Sequence, residues 1–528
     1  MAVPWLTFLL VMSLNYARTQ AQFLCPPLGP ILPAPTSLSD NPSLQQVIAQ
    51  INLGLQNASS QLNETAVSVG VRSTHETQPL LSFHYTPESF NTSGTHNVTG
   101  DTVYLVGSAT KLYTALAILQ LRGAGDLNLS DPVTKYVPRL NSLPQNNNNL
   151  TTVDWSTVTI EALLDHLGGV PADYFFANIA NRPPVYAPFT TPVYSNVGYA
   201  LLGLVIENVS GKTYADYLQD NILQPSNMTR TFVGAPLNSS IGFIPIETNW
   251  WGTNLGFENS SGAISASNND LLSFGTALLS AQLLSPEATR AWMKPKTFTP
   301  ASGVSVGEVW EIARGPNLTS DVRTIDFYTK TGNLVDYTAV IALVPDYDLA
   351  FAINIAGPDS SLTAVQILLS AVATALVPAV DDVGKATAAL QYSGTYVAAN
   401  DSSISLAVDD GGLFVSQFTA NGADVLVGYA ALEDADTGNT SIRLYPTILR
   451  SGNESAWRAV YNPNSAEELA AVDAQLFFPQ GSCQSWSGID LITYGQQSLD
   501  YFVLTEDENG TIATVEPRAW RLVLNRAV

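Results

Sequence analysis

The stretch YLVGSATKLYTALAILQL, residues 104–121, decides how this chain is read. Leu112, Ala115, Leu116 and Leu119 fall at i, i+3, i+4 and i+7, the spacing of one buried helix face. A helix is therefore predicted over Ser108–Arg122, closed by Gly123. On such a helix Ser108 and Lys111 share a face about 5–6 Å apart, so an amine can reach a hydroxyl. A lysine that shares a proton with a serine is one way to activate a poor nucleophile. This is the sole Ser-x-x-Lys in a chain whose lysines are Lys111, Lys135, Lys212, Lys294, Lys296, Lys330 and Lys385. The ordinary alternative is a capping serine beside a solvated lysine.

Two further motifs follow downstream. Tyr194-Ser195-Asn196 is the only Tyr-x-Asn and lies between a Pro-rich loop (Pro183, Pro184, Pro188, Pro192) and an apolar helix starting near Val197. Loop residues on a rigid neighbourhood are where catalytic groups tend to sit, although Asn196 as a helix cap beside a packed Tyr194 is the plainer reading. Lys330-Thr331-Gly332 ends a strand that begins at Ile325. Glycine permits close backbone approach and a lysine there can hold an anion; the alternative is edge-strand protection.

Composition narrows the classes. The 528 residues carry 22 basic and 45 acidic side chains, a formal net charge of −23. Nucleic acid is excluded as a partner, because phosphate contacts need clustered Lys and Arg. Mean hydropathy is +0.11 and the acids are scattered, which argues against a membrane protein. Two cysteines and four histidines leave no structural zinc site and no metal is expected.

The first 21 residues read as a secretory signal peptide: an apolar Trp5–Leu14, then Thr19-Gln20-Ala21 before a cleavage at Gln22. Secretion is therefore expected. Asn-X-Ser/Thr sequons support export, at Asn57, Asn63, Asn91, Asn97, Asn128, Asn149, Asn208, Asn227, Asn238, Asn259, Asn317, Asn400, Asn439, Asn453 and Asn509. In an oxidising compartment Cys25 and Cys483 are free to pair, tying the mature N-terminus to the C-terminal region; two buried free thiols are the alternative. Across so long a loop the chain-entropy model gives such a bond roughly 5 kcal/mol or more.

Along the chain, Ala66–Ser73 and Leu80–Thr86 form a predicted hairpin. Residues 141–152 are an Asn-rich loop, and residues 158–290 alternate helical runs with loops. Strands return at Ile325–Thr331, Thr338–Val344 and Leu349–Ile355, followed by an apolar helix at Leu362–Leu376. After about residue 386 short strands and turns run to the end. Strands near both ends of the first 385 residues thus flank a helical middle, an α+β organisation.

Ser-x-x-Lys, Tyr-x-Asn and Lys-Thr-Gly, in that order on helix, loop and strand, resemble the serine β-lactamase and penicillin-binding-protein superfamily. Tyr104–Leu121 with the following GDLNLSDPV (residues 125–133), Thr159–Pro171 and Tyr194–Gly211 look like its class C, AmpC-like branch. The likeness covers roughly residues 45–380. Asp165-His166-Leu167-Gly168-Gly169 departs from the family's usual segment, and His166 reads as a buried structural imidazole. The tail looks like the extra domain of secreted fungal β-lactamase-like proteins. The resemblance implies an antiparallel sheet flanked by helices and a helical subdomain (about 141–290). It divides the chain into a signal peptide (1–21), a catalytic domain (22–385) and a β-rich domain (386–528).

It also implies roles. Ser108 forms an acyl-enzyme; Tyr194, its pKa lowered between two ammonium groups, shares the base role with Lys111. Asn196 orients Lys111 and the substrate amide. Lys330 stabilises a tyrosinate and holds a substrate carboxylate, with Thr331 and Gly332 beside the substrate. The N–H groups of Ser108 and Asn333 make the oxyanion hole. No cofactor is needed, and the partner is a small-molecule or peptide-like substrate. Hydrolysis of an amide, lactam or ester leads; acyl transfer by the same acyl-enzyme and a non-catalytic binding role are the alternatives. One rival nucleophile exists, Gly303-Val304-Ser305-Val306-Gly307, but this motif needs a strand before and a helix after it, and the sequence offers neither.

Overall fold

Tyr337–Val344 and Leu349–Ala356 are buried at every position, which a pair of adjacent strands permits only where both faces of the sheet are covered. The computed structural model describes residues 24–143, 148–173, 179 and 182–527, so the signal-like segment lies outside the described residues. The chain divides into two compact units. One comprises Gln45–Gly315 and Asp326–Ala375; the other comprises Pro316–Ile325, Leu376 onward and the described residues up to Leu44.

The first unit is built on an eight-stranded antiparallel sheet. Its strands are β1 (Ala66–Ser73), β2 (Leu81–Tyr85), β3 (Thr297–Phe298), β4 (Val304–Gly307), β5 (Trp310–Gly315), β6 (Ile325–Leu334), β7 (Tyr337–Val344) and β8 (Leu349–Ala356). Their spatial order is β2-β1-β8-β7-β6-β5-β4-β3. The early hairpin closes on the last strand, with Ala66 opposite Ala356 and Val69 opposite Ile353. The helical middle is thereby an insertion between strands of one sheet. It also contains the short strands Thr231–Val233 and Ile264–Ser267, which join Val103–Leu105 in a small sheet.

Helices α1 (Thr110–Ala124), α2 (Asn196–Ser210) and α3 (Asn268–Leu279) share one apolar core with the sheet. Nearly every residue of α1 from Thr110 to Leu121 is buried, as a helix apolar on all sides must be. It stops at Gly125, in the left-handed conformation with φ 84°, and not at Gly123. Tyr113 of α1 stacks on Phe274 of α3 at 4.2 Å, and truncating either ring costs roughly 3–5 kcal/mol. Asn268 donates to the Ala352 carbonyl at 2.9 Å, and β1 passes so close that a Cβ on Gly70 would meet the Asn268 side-chain oxygen at 2.3 Å.

Helix α4 (Leu362–Tyr392) runs sixteen residues beyond its predicted end, with Pro378 inside it, so a boundary at residue 385 falls within a helix. It is long and apolar enough to cross a bilayer by length and composition, but 56% of its most apolar window is buried within the fold.

The second unit is a closed antiparallel barrel. Successive neighbours are Ser402–Asp409, Gly394–Ala398, Leu524–Arg526, Ile512–Pro517, Tyr501–Glu506, Glu454–Asn462, Ser441–Ser451 and Gly412–Ala420, and the last pairs back with the first. Closure removes the exposed edges. Tyr396, Ile404, Leu406, Val415, Phe418, Trp457, Phe502 and Leu504 fill its core. Cys25 and Cys483 are bonded, with Cα atoms 5.1 Å apart. Both lie in this unit, so the bond pins the N-terminal segment to the barrel, the tie to the C-terminal region that the sequence led us to expect.

Candidate active site

Ser108 sits in a single 3-10 turn, Gly107–Ala109, immediately before α1. It makes no capping bond, and Lys111 one turn on is completely buried, so the capped-helix alternative does not hold. The Lys111 amine lies 3.0 Å from the Ser108 hydroxyl, 2.6 Å from Asn196 Oδ1 and 2.7 Å from the Ser261 carbonyl. Two of these three partners can only accept. A neutral amine has two N–H bonds to give them and one lone pair left for the serine O–H. Burial, then the nearby Lys330 ammonium, push the Lys111 pKa well below its ordinary value, which favours that neutral form.

Ser195, not Asn196, caps α2, accepting from the Gly198 amide at 2.9 Å. Asn196 is thereby released to face Lys111. Its side-chain N–H, expected to meet a substrate amide, donates instead to exposed Asp173 at 2.5 Å. Tyr194 hydrogen-bonds Ser108 and lies between the two amines, 4.9 Å from Lys111 and 5.2 Å from Lys330 to the ring centre. The expected lowering of its pKa is reversed. Burial raises it, and the Lys330 charge and the Ser108 hydrogen bond only partly offset this. Tyr194 therefore rests as a neutral phenol.

His166 is buried against Tyr194 and Tyr199, with ring centres 4.6 and 5.1 Å away. Its Nδ1 accepts the Ser195 amide at 3.2 Å. Burial, reinforced by Lys111 and Lys330, holds its pKa well below the usual histidine range, so it is a neutral support for the Tyr194 loop. Beside it Asp165 accepts the Glu308 amide at 2.7 Å, and burial pushes its carboxyl up to about 7 despite that bond. Glu308 pairs with Lys296, which also reaches Glu161. A carboxyl raised on folding stabilises the fold fully below the unfolded value and loses that contribution as pH rises through about 7. Asp165→Asn is accordingly expected to flatten the fall in stability between pH 5 and 8, by up to ~3 kcal/mol at the alkaline end, read as a smaller fall in Tm in thermal unfolding measured against pH.

Lys330, Thr331 and Gly332 lie on β6, inside the sheet between β5 and β7, so edge protection does not explain the lysine. Gly332 is needed for contact: a Cβ there would come within 2.0 Å of the Val106 carbonyl and 2.8 Å of the Ser108 amide. The Asn333 amide nitrogen lies against Gly107 in the same way, which brings the two expected oxyanion donors to one side of the serine. Thr331 and Lys330 do not stand open to a substrate carboxylate. Glu311 of β5 accepts from the Lys330 amine at 2.6 Å and from Thr331 through its amide at 3.0 Å and its hydroxyl at 2.8 Å. Burial pulls the Lys330 pKa down, but the Glu311 charge and hydrogen bond, with Tyr194, hold it above its ordinary value.

Glu311 and Asp173 escaped the sequence reading, because neither belongs to a motif. Ser305 is buried in β4 opposite Ile312, with no helix after it, so the rival elbow is absent. A hollow of about 330 Å³ in the second unit, lined by Tyr429, Tyr461 and Asp500 among others, contains none of these groups; chemistry, not cavity size, locates the site.

The fold and this constellation define a serine hydrolase of the β-lactamase type. The Beta-lactamase family profile matches residues 68–372, and the chain belongs to that family. A second profile, described as "Beta-lactamase-like-like, C-terminal domain", matches residues 384–528. The Beta-lactamase-like protein of Arthroderma benhamiae is 28% identical, over 93% of this chain and 94% of its own length. The Probable hydrolase M10 of Phoma sp. is 26% identical over 96% and 91%. Among solved structures, a class C beta-lactamase has a TM-score of 0.51 at 18% identity, covering 64% of this chain and 96% of its own. The D-amino acid amidase of Ochrobactrum anthropi scores 0.50 at 19%, covering 63% and 99%. These structures share the fold of the first unit.

Proposed function

We propose that the protein is a secreted, glycosylated hydrolase that forms an acyl-enzyme on Ser108 with amide, lactam or ester substrates. One observation carries the reading: the buried Lys111 amine spends two N–H bonds on obligate acceptors and turns its third position to the Ser108 hydroxyl. Ser108 attacks the carbonyl carbon as its proton passes to Lys111. The amides of Ser108 and Asn333 hold the oxyanion. Lys111 returns the proton to the leaving group through neutral Tyr194, and water then releases the acyl group and restores Ser108. Lys330, paired with Glu311, fixes Tyr194 electrostatically. Secretion rests on the apolar segment Trp5–Leu14 and on fifteen sequons whose asparagines are all exposed or half-buried.

Steady-state assays on p-nitrophenyl esters, p-nitroanilides and a chromogenic lactam test this. The wild-type protein is expected to turn over at least one class, and Tyr194→Phe to lower kcat about 10²-fold with a smaller change in KM. Near-normal kcat in folded Tyr194→Phe on every substrate removes Tyr194 from the mechanism. Added short alcohols separate hydrolysis from acyl transfer: hydrolysis predicts acid product at an unchanged rate, transfer predicts a new ester.

A further inference from the structure

The Lys330 and Thr331 donors on β6 already have a carboxylate, and it is the chain's own. Glu311 gives one oxygen to the Lys330 ammonium and the other to both the amide and the hydroxyl of Thr331. Lys330 is 1% exposed and Glu311 34%, so the cation is sealed and the carboxylate forms the surface that a ligand meets. Glu258 and Asp173 lie near enough to act electrostatically on Lys111, so the other charges around the nucleophile are also negative.

Resting on the Ser108 reading, we propose that Glu311 is the specificity-determining residue of this site and that the protein selects acyl donors that carry no carboxylate within reach of it. Neutral groups are accepted and an ammonium is favoured over a carboxylate. The reason is competition and repulsion. A substrate carboxylate placed here finds both Thr331 donors taken and the Lys330 ammonium sealed behind Glu311, and it faces Glu311 at short range where like charges disfavour one another. Displacing Glu311 is costly as well, because the glutamate then gives up its bonds to Lys330 and to both Thr331 donors. An ammonium meets the exposed carboxylate edge without disturbing either bond.

The test uses the full-length protein and three p-nitrophenyl esters of matched length: hexanoate, 6-aminohexanoate and the adipate monoester. For the wild type, kcat/KM on the adipate monoester is expected at least 10²-fold below that on hexanoate, with 6-aminohexanoate equal to or above hexanoate. In Glu311→Gln, which keeps the volume, and in Glu311→Ala, the deficit of the adipate monoester is expected to shrink to within about 10-fold. The wild-type series decides the matter even where a variant does not fold. Adipate turned over as well as hexanoate, by a wild-type protein whose Ser108 reacts with a fluorophosphonate, overturns this proposal alone. An unchanged ratio in folded Glu311→Gln does the same. Absence of both turnover and Ser108 labelling overturns the site reading beneath it.

Discussion

Ser108→Ala is expected to abolish turnover on every substrate, a loss of about 10⁴-fold or more in kcat/KM. The magnitude follows from the unit in which the serine acts. Lys111 and Tyr194 act on this one oxygen, the two backbone amides serve the oxyanion its attack creates, and none of them supplies a nucleophile in its absence. The substitution removes one half-buried hydroxyl from a short turn and opens no cavity, so stability should change by no more than ~0.5 kcal/mol. Steady-state kinetics beside thermal unfolding check both halves. Residual turnover above one part in a hundred, in a protein free of wild-type contamination, removes Ser108 from its role.

The second large effect belongs to Lys111. Lys111→Arg keeps the positive charge and loses the lone pair, because guanidinium does not deprotonate in proteins. Lys111→Met removes both. Each is expected to lower kcat/KM about 10³-fold, since each destroys the base. Lys111→Met also strands the Asn196 oxygen and the Ser261 carbonyl, at roughly 1–3 kcal/mol each, so its Tm should fall. The two readouts separate a catalytic lysine from a structural one. In the wild type the neutral amine is the active form, so kcat/KM should rise with pH along an acid limb set by a lysine well below its ordinary range. Activity retained by Lys111→Arg, or a missing acid limb, contradicts the assignment.

Much of this site was legible because its chemistry is local. Ser-x-x-Lys is a helical spacing, and the 3-10 turn that runs into α1 places both residues where that spacing puts them. Tyr-x-Asn and Lys-Thr-Gly are short enough to survive as motifs, and the close approach at Gly332 is what a glycine after a strand lysine suggests. The helix end was misread because two glycines stand two residues apart and only Gly125 takes the left-handed conformation. Charge balance was not legible. The Tyr194 pKa was argued from two neighbouring ammonium groups, whereas burial dominates and Lys111 tends to be neutral. Glu311 was invisible for a related reason: its partner lies nineteen residues away on the adjoining strand, and pairing between β5 and β6 leaves no mark in one sequence. The grouping of Cys25 with the barrel is likewise a product of tertiary packing, which linear order does not encode.

The central claim is a covalent acyl-enzyme on Ser108. Incubating the wild-type protein with a fluorophosphonate, digesting it and mapping the modified peptide tests it directly. The account predicts one adduct per chain, on Ser108, formed at least 10²-fold more slowly in Lys111→Arg and absent from Ser108→Ala. An adduct on Ser305 or any other residue, or an enzymatically active protein that takes no label, contradicts it.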